Sequence, residues 1–191
     1  DRLFARRLIF RPCRRKAERV MNMPLRIAIA LASASLAFTG ACTPPRETPP
    51  LEGARVGGDF TLTDSQGHVR HAADFNGKYR LIYFGYTFCP DVCPVDLNYL
   101  MLGLKRFETM DAARAAKVQP LFVTVDPERD TPPVLASYVA QFHPRLLGLT
   151  GTPQQIADIA SKYLVRYEKH PGATPGTYLV SHTQLAYLMG P

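Results

Sequence analysis

One stretch, residues 79–86 (YRLIYFGY), constrains the fold more than any other: it is a nearly unbroken run of aromatic and aliphatic residues with no polar alternation. A run of that kind and length reads as a strand buried on both faces, which requires covering layers above and below. The rest of the chain can supply them. Pro94 suits the first turn of a helix, and Val95, Leu97, Leu100, Met101, Leu104 and Phe107 follow at helical spacing to about Met110. Residues 118–125 form a second buried strand, and residues 146–150 a third. Thr131 before Pro132 caps a helix carrying Val134, Leu135, Tyr138, Val139 and Phe142, and Pro153 opens another to about Tyr163. Strands alternating with helices predict an α/β fold, a central mixed sheet flanked by helices.

Smaller elements complete the plan. Residues 60–63 and 68–70 flank the turn Asp64-Ser65-Gln66-Gly67 and predict a hairpin. Residues 74–78 read as a loop, 178–180 as a short strand and 184–189 as a last strand. The folded domain is expected over residues 56–191.

The chain carries a formal net charge of +7. Spread over a folded surface, that would suggest nucleic acid or anionic lipid as a partner. Residues 1–26 hold nine Lys and Arg against two acidic residues, so the excess sits there and the remainder is neutral. A nucleic-acid function loses its main support.

Behind that basic region come IAIALASASLAF and the small residues Thr39-Gly40-Ala41 before Cys42, a signal-peptide pattern too short for a spanning helix. Cys42, ahead of the polar TPPRETPP, resembles a bacterial lipoprotein processing site and is the lipidation candidate; an uncleaved anchor or plain secretion stays open beside it. Thr39 departs from the aliphatic residue usual there. Residues 1–42 are therefore read as an upstream extension plus export signal, with a start at Met21 or Met23, and residues 43–55 as a proline-rich tether. The expected location is a bacterial cell envelope, on the periplasmic side of the inner membrane, tethered through the N-terminus.

Chemistry concentrates in Phe88-Cys89-Pro90-Asp91-Val92-Cys93-Pro94, between the central strand and its helix, where α/β sheets place ligands and reactive groups. A helix start favours thiolate over thiol, so Cys93 is expected to be activated by the backbone N–H groups around it. Three residues separate the cysteines, one more than in dithiol oxidoreductases, and two soft thiolates suit Cu(I) or Zn. Zinc would want a fourth protein ligand, which Cys13 and Cys42 cannot provide from the upstream segment. A structural disulfide is the bland alternative.

Three segments in order, YFGYTFCPDVCP, VTVDPERDTP and HTQLAYLMGP, resemble the Sco/SenC family of copper-binding proteins, from about Gly57 to the end. The resemblance implies a thioredoxin-like fold in which Cys89, Cys93 and His182 bind copper, as Cu(I), Cu(II) or both. It also implies a metallochaperone assisting assembly of the binuclear copper centre of cytochrome c oxidase, with the copper-receiving subunit as partner and other copper chaperones or thiol reductants beside it. Ser181 stands where many members carry Asp, which removes a carboxylate that could orient the histidine. The family continues with a further strand and a C-terminal helix, so the chain is read as a C-terminally truncated piece.

Asp126 and Asp130 either form a loop and helix cap, the leading reading for Asp130, or hydrogen-bond close to the copper. Glu128 and Arg129 belong to the same loop. His68, His71, His143 and His170 are expected on the solvated surface, and Met101 and Met110 in the core. The rival function is a thiol–disulfide reductase keeping the cysteines of that centre reduced, with Cys89 and Cys93 as its redox pair and no need of His182. A thiol peroxidase ranks below both, since no arginine adjoins either cysteine in sequence.

Overall fold

A computed structural model describes residues 53–191; the export signal, Cys42 and most of the tether lie outside the described residues. The elements run β1 (Thr61–Asp64), β2 (Val69–His71), a 3₁₀ turn (Ala72–Phe75), β3 (Tyr79–Gly85), α1 (Val92–Met110), α2 (Ala112–Ala115) and β4 (Val118–Thr124). There follow α3 (Pro132–Val139), β5 (Leu147–Thr150), α4 (Pro153–Lys162), β6 (Tyr167–Pro171), β7 (Tyr178–His182) and β8 (Ala186–Met189).

Six strands form one mixed sheet in the order β2-β1-β5-β4-β3-β8. β3, β4 and β5 are parallel, with α1 and α3 as the crossovers that parallel pairing demands; β8 pairs antiparallel to β3, and β1 to β5. Among the described residues, β6 and β7 pair only with each other.

The central run behaves as its composition requires. Ile82, Tyr83 and Phe84 are consecutive and all buried, so both faces of β3 are covered. Phe84 packs on Tyr163 and Tyr187 on one side, with centroids 5.5 and 5.9 Å away. Tyr83 stacks on Phe122, which meets Tyr138 of α3, on the other. Burying such a side chain fully contributes about 1.5–3 kcal/mol.

Several expectations shift. α1 begins at Val92, two residues early, so Cys93 and Pro94 both sit in its first turn, where a missing N–H costs nothing. The expected loop at 74–78 is partly the 3₁₀ turn, closed by Asp74 accepting from His71 N. The α3 helix stops at Val139, short of Phe142. Asp111 accepts from Arg114 N and starts the unexpected α2. β7 runs on to His182, and its partner β6, with mostly exposed residues, was not expected. Met101 is core, but Met110 is 75% exposed at the end of α1.

His143 is not on the surface. It is buried, its Nδ1 accepts from Arg145 N at 3.1 Å, and its Nε2 faces Glu108 at 3.3 Å. Arg145 also pairs with Glu108 and donates to the carbonyls of Ala115 and Val118, so the imidazole completes a polar cluster that closes the α1–β4 connection against β5. A loop position alone does not reveal that its side chain folds inward.

Candidate metal centre

The turn after β3 delivers both cysteines. Cys89 N donates to Tyr86 O, closing the chain after the strand, and Cys93 N donates to Cys89 Sγ at 3.5 Å, wrapping the loop around the first sulfur. Cys93 is fully buried and Cys89 half-buried, and both are free thiols. Gly85 at the end of β3 makes room for Cys93, since a Cβ there would stand 2.9 Å from its Sγ.

His182 arrives from the end of β7. Its Nε2 lies 3.2 Å from Cys93 Sγ and its Nδ1 3.0 Å from Thr183 O. A carbonyl only accepts, so Nδ1 carries the proton and Nε2 turns its lone pair toward the sulfur. Tyr83 and Tyr86 meet the imidazole edge-on, at centroid distances of 6.3 and 6.0 Å. The ligand atoms of Cys89, Cys93 and His182 all lie within 4.8 Å of one another, and no fourth His, Cys, Asp or Glu joins the group among the described residues.

Burial reverses one expectation. The interior position pushes the Cys93 thiol far above its ordinary value, and the neighbouring Cys89 adds to the shift. Desolvation outweighs the helix start, so uncomplexed Cys93 is a thiol at neutral pH, and a metal binding there displaces a proton.

The residue before the histidine is less of a loss than expected. Ser181 Oγ sits 2.7 Å from His170 Nε2, away from the site, and the ring is oriented by the Thr183 carbonyl instead. His170 itself is exposed, as expected, and that bond lies on the surface.

Asp130 is not a helix cap. Fully buried, it accepts from Thr87 N (3.0 Å), Thr87 Oγ1 (2.6 Å) and Thr124 Oγ1 (2.6 Å), tying the loop before Cys89 to the end of β4. Burial raises its carboxyl above the ordinary value despite these donors. Thr131 occupies the N-cap of α3 without a side-chain hydrogen bond. Asp126, equally buried, accepts from Arg129 Nε and, at 2.7 Å, from Tyr178 OH on β7. Neither carboxylate belongs to the converging group of three, and sequence reading missed Arg129, Tyr86 and Tyr178, which carry no metal-ligand chemistry of their own.

The fold and site together define a class: a thioredoxin-like domain with a Cys-x-x-x-Cys pair at a strand-to-helix turn and a remote histidine folded over it. The chain belongs to the SCO1/SenC family, whose model matches residues 48–191. It is 47% identical over 76% of its length to the mitochondrial SCO2 homologue of Bos taurus, and covers 54% of that protein. It thus spans about half the length of that curated relative. Among solved structures, Arabidopsis thaliana ScoI with copper bound superposes with a TM-score of 0.66 at 39% identity, covering 70% of this chain and 81% of that one. Bradyrhizobium japonicum ScoI with copper bound gives 0.65 at 42% identity, over 70% and 82%.

Proposed function

We propose that the chain is a copper metallochaperone: Cys89 and Cys93 offer two sulfurs and His182 an imidazole to one ion, which leaves by ligand exchange with a partner. The observation that carries this reading is the convergence of those three ligand atoms within 4.8 Å, two of them soft sulfurs with no fourth protein ligand in the group. Two solved relatives with copper bound support it. The proposed recipient is the copper-receiving subunit of cytochrome c oxidase, the role that the family resemblance implies.

Because Nδ1 is held protonated by Thr183 O, Nε2 is the nitrogen available to the ion. Cys93 must give up its proton on binding, whereas half-buried Cys89 is the sulfur that an incoming partner ligand can reach. Exchange beginning at Cys89 and ending at the buried Cys93 fits that asymmetry.

A Cu(I) competition titration on the reduced chain, with Cys89→Ala, Cys93→Ala and His182→Ala beside it, tests the reading. Loss of affinity in all three is expected; unchanged affinity throughout would sink it. The close pair of free thiols also favours a second reading, a thiol–disulfide reductase keeping the recipient's cysteines reduced. Disulfide turnover that survives His182→Ala would support that reading.

The proposed location is the periplasmic side of a bacterial inner membrane, with the domain tethered through an acylated Cys42. No helix among the described residues is long and apolar enough to cross a membrane. Mass spectrometry of the mature N-terminus decides between lipidation at Cys42, an uncleaved anchor and simple secretion.

A further inference from the structure

The proposed site is assembled from two arms held by different means. The cysteine loop continues directly from β3, in the centre of the six-stranded sheet, whereas His182 sits on a hairpin that shares no strand pairing with that sheet. Something other than a β-ladder must fix the hairpin. Val180 N donates to Tyr86 OH at 3.2 Å, Lys169 of β6 pairs with Glu128 at 2.7 Å, and Tyr178 is held by Asp126 and Arg129; of these side chains, Arg129 lies against both the hairpin and the cysteine loop.

Arg129 Nε pairs with buried Asp126, and Nη1 donates to Tyr178 O at 3.0 Å. The guanidinium lies 3.6 Å from the centroid of the Tyr178 ring on β7 and 4.8 Å from that of Phe88, the residue before Cys89. Tyr86 is third, at 5.7 Å. Nη2 is buried with no hydrogen-bond partner among the described residues, so its surroundings are these aromatic rings. Tyr178 OH closes the circuit by donating to Asp126. One planar cation therefore touches the histidine arm through Tyr178 and the cysteine arm through Phe88, and is itself anchored to the end of β4.

We propose that Arg129 is a positioning residue that registers the His182 hairpin against the cysteine loop, so that the third ligand stays over Cys93. The proposal rests on the copper reading for its consequence but not for its geometry. Lysine cannot substitute, because a single ammonium cannot lie flat on the ring while donating to Asp126 and to the Tyr178 carbonyl.

The test uses the full chain as wild type, Arg129→Ala, Arg129→Lys and His182→Ala. Amide hydrogen exchange of the apoprotein is read alongside Cu(I) competition and nitrogen hyperfine coupling in the Cu(II) electron paramagnetic resonance spectrum. Arg129→Ala is expected to exchange faster at Tyr178–His182 with β3 and β4 unchanged, to bind Cu(I) about 10–100-fold more weakly, and to lose nitrogen coupling as His182→Ala does. Arg129→Lys is expected to fall close to Arg129→Ala; if the alanine variant does not fold, the lysine variant carries the test. Wild-type hairpin exchange and affinity in the folded variant would overturn the proposal. So would exchange that rises equally across β3 and β4, since that marks general stability. A wild-type chain that binds no copper would refute the copper reading alone, and hairpin exchange would still decide the role of Arg129.

Discussion

Gly85→Ala probes how tightly the buried proposed ligand Cys93 is packed. The added methyl would stand 2.9 Å from Cys93 Sγ, 3.0 Å from Phe122 Cε2 and 3.1 Å from Tyr83 Cε1. Comfortable carbon contacts begin at about 3.5 Å, so at least one neighbour must retreat by roughly 0.5 Å. The two rings are stacked with centroids 6.5 Å apart and buried against α3, while Cys93 is bonded into the first turn of α1. Overpacking of this kind costs about 1–3 kcal/mol. At roughly 4 °C per kcal/mol for a domain of this size, the thermal midpoint should fall by about 4–12 °C.

The informative part is the comparison with copper. Far below its midpoint the variant is still almost wholly folded, so lost stability alone leaves the dissociation constant unchanged. A metal site tolerates only about ±0.2 Å in its bond lengths, so a sulfur displaced by more than twice that should weaken Cu(I) binding at least tenfold. The assay is a Cu(I) competition titration beside thermal unfolding of the apoprotein. A lower midpoint with wild-type affinity would show that the rings move and the sulfur does not, which refutes the claim that Gly85 sets the Cys93 position. Wild-type values of both would refute the packing argument altogether.

Asp130→Ala strands Thr87 N, Thr87 Oγ1 and Thr124 Oγ1 and should cost about 3 kcal/mol in chemical denaturation, with faster alkylation of Cys89 as its loop loosens. Alkylation of the reduced native chain should label half-buried Cys89 well before buried Cys93, as read by peptide mass spectrometry; equal rates would contradict that difference in burial. Asp64 governs part of the acid limb of stability. Burial opposes its ionisation, but His68 N, Arg70 and Gln66 N together hold its carboxyl below the usual value of 3.8. A depressed native value stabilises the fold above the unfolded value, and that contribution is lost as pH falls from about 5 through the native value. Urea midpoints measured down that range should decline less steeply in Asp64→Asn than in wild type.

How much of this was legible beforehand follows from how each element is held. β3 announces itself because both of its faces are buried, which leaves an apolar run that no surface element would tolerate. The cysteine turn is legible because Pro94 must sit near a helix start, although Pro94 did not show that α1 already begins at Val92. β6 is the opposite case: Tyr-Glu-Lys-His-Pro has no apolar alternation, and only backbone bonds to β7 make it a strand. The thiolate expected at Cys93 failed because the helix start can be read from sequence, whereas the depth of burial that opposes it depends on the whole fold.

The third proposed ligand shows where reading residues one at a time reaches its limit. His182 is 89 positions from Cys93, and nothing local distinguishes it from His170; the family resemblance picked it out, and the fold placed it 3.2 Å from the sulfur. The concern over Ser181 assumed that a side chain must orient the ring, yet the Thr183 carbonyl does so, and a carbonyl is contributed by any residue. In sequence, Asp126 and Asp130 read either as a loop and helix cap or as hydrogen-bonding groups near the copper, and Arg129 as part of the same loop. Their importance lies in their partners: Asp130 binds Thr87 ahead of the cysteines, while Asp126 and Arg129 bind Tyr178 ahead of the histidine. One five-residue stretch, Asp126 to Asp130, thus fastens both arms of the site to the end of β4. A segment that serves as the common support of two remote elements has no periodicity to display, and its role becomes visible only once those elements are in place.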